Sequence, residues 1–410
     1  MKRDYVLLRA VPPVSGAGSS AVPNDFEVQG PGPFDGSGPT GGAPPEIHVS
    51  IESLSGRERD SARKDGMLAA PLMPTKLIRP TAETRDIEGT ESWALDAVGA
   101  TGVSLDGSGV TVTVLDTGID GGHDAFKGMT LTQVDFTGEG VRDRHGHGTH
   151  CAGTIFGRDI GDRRIGVARG VTNALIGKVL DGDGAGTSDM VFRALQWALD
   201  GRAHVISMSL GFDFAGMAKR LQADGWPEDL AASEALQAYR DNLRVFDALM
   251  DLFRAYDATG RRPLVIAAAG NESRRDVDPR FVIGRSLPSD AVDVISVAAA
   301  SRGTGTGVYG IADFSNGMPT LSAPGVDIVS AAADVHGSGI KNGVASMSGT
   351  SMACPHVAGL AALYHQQIRN AGGIATSTDV AARLIVNAKR DVFDTKFDPD
   401  DYGRGLAIIV

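Results

Sequence analysis

Val110-Thr111-Val112-Thr113-Val114-Leu115-Asp116-Thr117-Gly118 is the stretch of sequence that decides the fold class. Its first six residues are β-branched or apolar, which is typical of a strand buried inside a sheet. Further short apolar runs, with helical segments between them, lie at residues 174–180, 204–210, 264–269 and 292–299. This alternation predicts a three-layer α/β fold, with a mostly parallel central sheet covered by helices on both faces.

The composition of the 410-residue chain is that of a globular protein, with 42% hydrophobic and 22% charged residues. Its formal net charge is −11, from 50 acidic and 39 basic side chains, which argues against a phosphate-binding surface. We therefore expect no nucleic-acid partner. No apolar run reaches the ~20 residues that cross a bilayer, so we expect no membrane partner either.

The N-terminus begins with charged residues, but Arg9 interrupts the apolar run that follows. This pattern differs from a secretory signal, which needs an unbroken apolar segment. We therefore expect a cytoplasmic location, and secretion by another route is left open.

Residues 1–90 are predicted to form an N-terminal extension with a small α+β element. Residues 11–45 are rich in Gly, Pro, Ser and Ala and read as a linker. Strands are predicted over residues 4–10 and 46–51, and a charged helix over residues 56–64. An inhibitory region and a loosely ordered extension without an inhibitory role are both compatible with this pattern.

A long amphipathic helix is predicted near the middle of the chain. Apolar residues recur there at spacings of three and four within a charged stretch, namely Leu236, Tyr239, Leu243, Phe246, Met250 and Phe253. Such a helix either packs on the flank of the domain or contacts a partner or substrate.

The first reactive motif is Asp116-Thr117-Gly118, which follows the apolar strand. A carboxylate at the end of a strand can orient an imidazole and stabilise its protonated form. Asp-Thr-Gly also occurs in aspartic proteases, but these need two such half-sites and the sequence contains one. The motif is ambiguous by itself.

The second motif holds three histidines within six residues, His145, His147 and His150. A metal site is one interpretation, although zinc-binding helices usually space two histidines at i and i+4 with a glutamate between them. Small residues after the histidines favour the other interpretation, a helix that begins beneath a catalytic imidazole.

The remaining motifs place Ser351 at the start of an apolar helix and Asn271 after a buried strand. Serine is common as a helix N-cap, but a helix N-terminus also favours negative charge on a bound substrate. Asparagine is common in turns, but its amide can also donate a hydrogen bond to an oxyanion.

Taken together, these motifs occur in the order and local sequence of the subtilisin family. From about residue 92 to the C-terminus, the chain resembles subtilases of peptidase family S8, with the motifs Asp-Thr-Gly-Ile-Asp, His-Gly-Thr-His-Cys-Ala-Gly and Gly-Thr-Ser-Met-Ala-Cys-Pro-His. The resemblance implies a subtilisin-like peptidase domain over residues 91–410, with a helical insertion at about 213–262. Residues 1–90 then stand where subtilases carry an inhibitory propeptide, and we expect any cleavage to fall between Met73 and Glu91.

The resemblance also implies the catalytic roles of a serine endopeptidase. Ser351 would be the nucleophile, His147 the general base and then acid, and Asp116 the residue that orients His147. Asn271 would donate a hydrogen bond to the oxyanion. Substrates would be proteins or peptides, and the chain's own N-terminal segment would be an inhibitory partner.

The resemblance further implies an extended substrate strand between two edges of the cleft. One edge is formed by Ser209, Leu210 and Gly211, and the facing edge by Gly182, Gly184 and Gly186. The pocket for the residue before the scissile bond would be lined by Ala268, Ala269, Gly270 and Glu272. Acidic residues near the cleft, Asp181, Asp183 and Glu272, suggest that it accepts basic side chains.

The resemblance implies no cofactor for the chemistry. At the family's strong calcium site, this chain has His123-Asp124-Ala125 in place of His-Pro-Asp, so we doubt that it binds structural calcium and leave any metal ligand unknown. The two cysteines, Cys151 and Cys354, are expected to be free and buried.

Two other functions use the same motifs. A peptide transpeptidase or macrocyclase would form the same acyl-enzyme and pass it to an amine, and an inactive peptide-binding scaffold would lack turnover. The presence of all four catalytic positions argues against the scaffold.

Overall fold

The computed structural model describes residues 2–11, 44–85, 93–303, 305, 307–335, 337, 339 and 341–410, with the backbone alone for residues 82–85. Most of the predicted linker, residues 12–43, lies outside these ranges, as does part of the predicted cleavage region. No helix among the described residues combines the length and the apolar character that crossing a membrane requires.

The strands follow one another along the chain as β1 (Arg3–Val11), β2 (Glu46–Leu54), β3 (Leu68–Pro71), β4 (Pro74–Leu77), β5 (Ala82–Arg85), β6 (Thr111–Asp116), β7 (Thr130–Asp135), β8 (Asn173–Lys178), β9 (Ala185–Thr187), β10 (Val205–Met208), β11 (Leu210–Phe212), β12 (Leu264–Ala268), β13 (Val294–Arg302), β14 (Tyr309–Ile311), β15 (Leu321–Pro324), β16 (Ile328–Ala331) and β17 (Val344–Ser348).

The α-helices are α1 (Gly56–Lys64), α2 (Trp93–Ala97), α3 (His147–Phe156), α4 (Ser188–Asp200), α5 (Phe214–Ala223), α6 (Glu228–Arg254), α7 (Thr350–Asn370), α8 (Ser377–Val386) and α9 (Pro399–Tyr402). Short 3₁₀ helices cover Ala100–Gly102, Asp124–Phe126 and Asp257–Thr259.

The central sheet has eight strands, in the order β14-β13-β12-β10-β6-β8-β7, with β15 also paired to β13. All of its pairings are parallel except that of β13 with β14. The predicted α/β fold with a mostly parallel sheet is confirmed.

Helices cover both faces of this sheet because its strands are apolar on both sides. Val205 of β10 packs in the cluster with α3 and α7, whereas the next residue, Ile206, packs with α4 and α6. In β12, Leu264 packs in the cluster with α3 and α7, and Val265 packs in the cluster with α4 and α6. This alternation explains why the strands read as continuous apolar runs.

The N-terminal strands form a separate antiparallel sheet in the order β2-β1-β3. Strands β1 and β2 and helix α1 lie where the sequence predicted two strands and a charged helix, whereas β3 was not predicted. Ser55 caps α1 by accepting a hydrogen bond from the backbone of Glu58, whose carboxylate accepts one in return from the N–H of Ser55. Val6 and Leu8 are buried in the same cluster as helices α4 and α6. This small sheet therefore shares a hydrophobic core with the rest of the chain.

Helix α6 is the predicted amphipathic helix, and it packs on both the flank and the N-terminal sheet. Phe246 is fully buried in the cluster beneath the central sheet. On another side, the Asn242 side chain donates a hydrogen bond to the carbonyl of Pro71, at 2.9 Å, and Asp241 pairs with Arg63, at 3.1 Å. Leu236 was predicted on the apolar face, but half of its surface is exposed, so it lies outside the buried stripe.

Replacing Phe246 with alanine should test whether this insertion is part of the core. We expect Phe246→Ala to lower the free energy of unfolding by about 3–5 kcal/mol, because it leaves a cavity among buried side chains. Leu236→Ala, on the same helix, should change it by about 0.5 kcal/mol or less. Urea unfolding of the two variants measures both changes. Equal losses in the two variants would contradict the packing described for α6.

Candidate active site

Four of the predicted site residues lie at the carboxyl edge of the central sheet. Asp116 ends β6, Ser209 follows β10, and Asn271 comes three residues after β12. Ser351 is the second residue of α7, which packs against one face of this sheet. Parallel strands present their carboxyl ends at a common edge, and this is where open α/β sheets form their binding sites.

Asp116 and His147 form a buried hydrogen-bonded pair. The Nδ1 atom of His147 lies 2.8 Å from Oδ1 of Asp116, which also accepts the N–H of Thr117. Helix α3 begins at His147, after Gly146 with a φ of 96° that favours glycine. The Nε2 atom of His147 has no hydrogen-bond partner among the described residues. This nitrogen is therefore available to take a proton.

Asp143 holds the loop in front of His147 and was not identified from the sequence. Its carboxylate accepts hydrogen bonds from the backbone N–H groups of His145, Gly146 and Thr149, and from the hydroxyls of Thr117 and Thr149. Five such bonds satisfy a carboxylate that is almost fully buried. The available signal was an acidic residue just before the glycine-histidine turn.

The backbone carbonyl of Ser351 accepts hydrogen bonds from other elements, because Pro355 leaves it without a donor in its own helix. A proline has no N–H, so Pro355 cannot donate the usual helical bond to the carbonyl four residues earlier. The Cys151 thiol and the Ser209 hydroxyl donate to that carbonyl instead, both at 3.3 Å. The start of α7 is thereby tied to α3 and to the end of β10.

Both cysteines are free and buried, as predicted. Burial raises the pKa of the Cys354 thiol to about 12 and that of Cys151 well above its usual value. Both are therefore neutral thiols at neutral pH, and they act as small donors within the core.

The three histidines do not converge on a common point. His150 is buried, with Nε2 3.0 Å from the carbonyl of Ile328, and burial lowers its pKa to about 3. Among the described residues, the one group with metal-ligand spacing is Asp116, His147 and Cys151. In this group, Asp116 and His147 are hydrogen-bonded to each other. The expectations about cofactors and calcium stay predictions.

Asn271 is oriented by Thr350. Its Oδ1 atom accepts hydrogen bonds from the N–H and the hydroxyl of Thr350, at 2.9 and 2.8 Å. The amide nitrogen is thereby directed into the cleft, where it donates to the carbonyl of Arg79 at 2.9 Å. A Cβ atom at Gly349 would lie 2.9 Å from this nitrogen, so glycine is needed for the close approach.

Strand β4 of the N-terminal region lies in the cleft between β11 and β9. Leu210 and Gly211 pair with Leu77 and Lys76, and Gly186 pairs with Thr75. The carbonyl of Gly184 accepts the N–H of Leu77 at 2.7 Å, and that of Ser209 accepts the N–H of Ile78 at 3.3 Å. The predicted edge residues thus flank an extended segment of the same chain.

The other predicted substrate-binding residues lie near this strand or behind it. Ala268 and Ala269 are buried, and the N–H of Gly270 donates to the Thr350 hydroxyl. Glu272 reaches the cleft, with its carboxylate 3.8 Å from Nζ of Lys76. Gly182 lies outside the paired residues, and its N–H donates to Glu139.

The segment in the cleft contacts Ser351 and Asn271 at different peptide groups. The Ser351 hydroxyl donates to the carbonyl of Ile78 at 2.8 Å, whereas Asn271 donates to the next carbonyl, that of Arg79. In the roles that the resemblance implies, Ser351 would pass its hydroxyl proton to His147 while it attacks the same carbonyl that the Asn271 amide polarises. This arrangement is therefore not aligned for cleavage.

Comparisons with known proteins agree with the fold and with these motifs. Residues 107–405 match the family described as "Peptidase_S8: Subtilase family". The chain is 31% identical over 307 residues to Subtilisin-like protease 6 of Trichophyton rubrum, covering 70% of this chain and 62% of that protein. It is 32% identical over 296 residues to Subtilisin-like protease 3 of Pseudogymnoascus destructans, covering 70% and 59%. The chain belongs to the subtilase family, and the predicted resemblance is confirmed.

The matches to these relatives are partial. The chain spans about three fifths of the length of Subtilisin-like protease 6 and a similar share of Subtilisin-like protease 3. The matched region, residues 107–405, contains Asp116, His147, Asn271 and Ser351.

Replacing Thr350 with valine should test how the amide of Asn271 is oriented. We expect Thr350→Val to lower kcat about tenfold, since it removes one of the two donors that fix this amide, while Thr350→Ser keeps the hydroxyl and near-normal kcat. Steady-state hydrolysis of a peptide substrate measures both. In the Asn271→Ala background, Thr350→Val should have little further effect. A full additional tenfold loss there would contradict a role through Asn271.

Proposed function

We propose that the chain is a serine endopeptidase that hydrolyses peptide bonds through an acyl-enzyme on Ser351. The observation that carries this proposal is the extended segment in the cleft, whose adjacent carbonyls accept hydrogen bonds from Ser351 and Asn271. A peptide backbone thus lies against the groups that a peptidase would use. The family of the chain supports the same activity.

In the proposed reaction, the Oγ atom of Ser351 attacks the carbonyl carbon of the substrate. Its proton passes to Nε2 of His147, which later donates it to the leaving amine. Asp116 accepts a hydrogen bond from Nδ1–H of His147, so it fixes the tautomer and stabilises the imidazolium. Water then enters by the same route and releases the acyl group, with His147 again as the base.

The negative charge of the tetrahedral intermediate would be stabilised by two donors. One is the amide of Asn271, already fixed by Thr350, and the other is the N–H of Ser351 at the start of α7. In subtilisins, loss of the corresponding asparagine costs about a hundred- to a thousandfold in turnover. We expect a similar loss for Asn271→Ala.

Substrates would be extended segments of proteins or peptides. The cleft binds β4 through backbone hydrogen bonds to β11 on one side and to β9 on the other. Peptides that add a strand to an exposed sheet edge bind in the same way. Such bonds accept many sequences, so selectivity comes from side-chain pockets. The chemistry of the named residues needs no cofactor.

The same segment would act as an inhibitor before activation. Residues 74–80 occupy the cleft in a register where the carbonyl at Ser351 is not the one held by Asn271. A substrate strand would have to displace this segment to reach the nucleophile. Release would follow cleavage or unbinding of the N-terminal region.

Replacing Ser351 should test the chemistry directly. Ser351→Ala should lower kcat on the order of a millionfold, the loss known for the nucleophile of subtilisins, and should abolish labelling by a fluorophosphonate. Ser348→Ala, three residues before Ser351, should still be labelled. Casein hydrolysis and intact-protein mass spectrometry measure these outcomes, along with N-terminal trimming.

The products of this experiment separate the alternatives. Linear products that gain one water indicate hydrolysis, whereas cyclic products would indicate transfer to an amine. A wild-type chain that is neither active nor labelled would contradict the proposed function. The comparisons lend no support to the transferase or to the inactive scaffold.

Replacing Leu77 should test whether the cleft segment inhibits. Leu77 is buried, so Leu77→Asp should expel the segment, because a carboxylate without a partner is costly to bury. We expect the untrimmed variant to be labelled at Ser351 about tenfold faster than the untrimmed wild type. Leu68→Asp, at a partly exposed position in β3, is the control. Labelling of Leu77→Asp at the wild-type rate would contradict inhibition by this segment.

A further inference from the structure

The segment in the cleft shows which groups of the protein meet each side chain of an extended peptide. Ile78 carries the carbonyl that contacts the Ser351 hydroxyl, and its N–H donates to Ser209. In a substrate bound in this register, the scissile bond would follow the residue at the position of Ile78, which is P1. Leu77 then occupies P2, and Lys76 occupies the next position. This position is P3, the third residue on the N-terminal side of the scissile bond.

Lys76 is bound by two acidic side chains from different elements. Its Nζ atom lies 3.2 Å from Oδ1 of Asp213 and 3.8 Å from Oε1 of Glu272. Its backbone pairs with Gly211 on one side and Ala185 on the other. The β pairing thus fixes the point at which this side chain leaves the strand.

Asp213 is held in place by the start of α5 and by the backbone of β4. It is the N-cap of α5 and accepts the N–H of Gly216 at 3.1 Å. Its own N–H donates to the carbonyl of Pro74, at 2.7 Å. Its side chain is only 17% exposed, which strengthens its attraction for a cation relative to a fully solvated carboxylate.

Glu272 is also preorganised, through Asn316. Its Oε2 atom accepts a hydrogen bond from the Asn316 side chain at 2.8 Å, which leaves Oε1 facing Lys76. The Oδ1 atom of Asn316 accepts the N–H groups of Glu272 and Ser273, so this amide is itself fixed. Little side-chain entropy remains to be lost when a cation binds.

Asp181 and Asp183, the other acidic residues expected near the cleft, form no ion pair with Lys76 among the described residues. The Asp181 carboxylate accepts backbone N–H groups of Asp183 and Ala185 within its own turn. Asp183 offers its backbone carbonyl, and not its carboxylate, to the Arg79 guanidinium. The pairing with Lys76 thus singles out Asp213 and Glu272.

We propose that Asp213 and Glu272 form a subsite that selects substrates with lysine or arginine at P3. The inference rests on the proposed endopeptidase function and specifies its substrate class. The subsite is partly exposed, so its contribution is that of an ion pair screened by solvent.

Two quenched fluorescent peptides that differ only at P3, with lysine in one and norleucine in the other, test the proposal. Norleucine keeps the length of the lysine stem and removes the charge. We expect kcat/KM to be about three- to tenfold higher for the lysine peptide. This preference should decrease between about 0.05 M and about 1 M salt, because salt screens the pair. A third peptide, with lysine moved to P4, should lose the preference.

The variants Asp213→Asn and Glu272→Gln should each reduce the ratio between the lysine and norleucine peptides. The ratio cancels any general effect of a variant on folding or turnover. Asp229→Asn, at an exposed position in α6, is the matched control and should keep the wild-type ratio. A ratio unchanged in both cleft variants would overturn the subsite.

Other outcomes separate this inference from the proposed function. Equal cleavage of the lysine and norleucine peptides by the wild type would overturn the subsite and leave the endopeptidase intact. A preference that follows lysine to P4 would overturn the P3 register. If neither peptide is cleaved and Ser351 is not labelled, the function fails, and the subsite fails with it.

If Ser351 is labelled but neither peptide is cleaved, the subsite can be tested within the intact chain. The test reverses the charges of Lys76 and Asp213. Lys76→Glu should speed fluorophosphonate labelling of the untrimmed chain, because it places three carboxylates together. Adding Asp213→Lys should slow labelling again, because it restores a pair of opposite charges between these two positions. Labelling that responds to neither change would overturn the subsite.

Discussion

The two-sided burial of the central sheet is the constraint on which the rest of the structure depends. Because β6, β10 and β12 are apolar on both faces, α3 and α7 must cover one face and α4 and α6 the other. Helix α7 therefore begins at the carboxyl edge of the sheet, where β6 and β12 end. The serine at its start, the aspartate after β6 and the asparagine after β12 lie together as a consequence of this layering.

Polar groups at this edge are stabilised by bonds that also join the layers. The carbonyl of Ser351, left without a helical donor by Pro355, receives the Cys151 thiol of α3 and the hydroxyl of Ser209. Asp143 accepts five hydrogen bonds, from the turn before α3, from Thr149 within α3 and from the residue after Asp116. Since an unpaired buried polar group is costly, these bonds restrict the relative positions of the reactive side chains.

The sequence predicted those features that depend on local pattern. Strand and helix positions follow from apolar periodicity, and each motif lies within a short stretch of chain, so α/β layering, α1 and α6 were all recognised. Contacts between distant segments have no such signal. The pairing of β4 with β11 and the contact of Lys76 with Asp213 join residues more than a hundred positions apart. Leu236 fits the helical period yet is exposed, because tertiary packing covers only part of the stripe.

The helical insertion links the two parts of the N-terminal region to the peptidase fold in different ways. Asp213, at its start, contacts Lys76 in the cleft, whereas Asn242 in α6 holds β3 through the carbonyl of Pro71. Both parts bury apolar side chains, because Val6 and Leu8 of the N-terminal sheet and Leu77 of the cleft strand belong to the same buried cluster. The cleft strand is held in addition by backbone hydrogen bonds to β11 and β9. Release of either part would expose apolar surface to water, so burial and backbone pairing together keep the strand in the cleft.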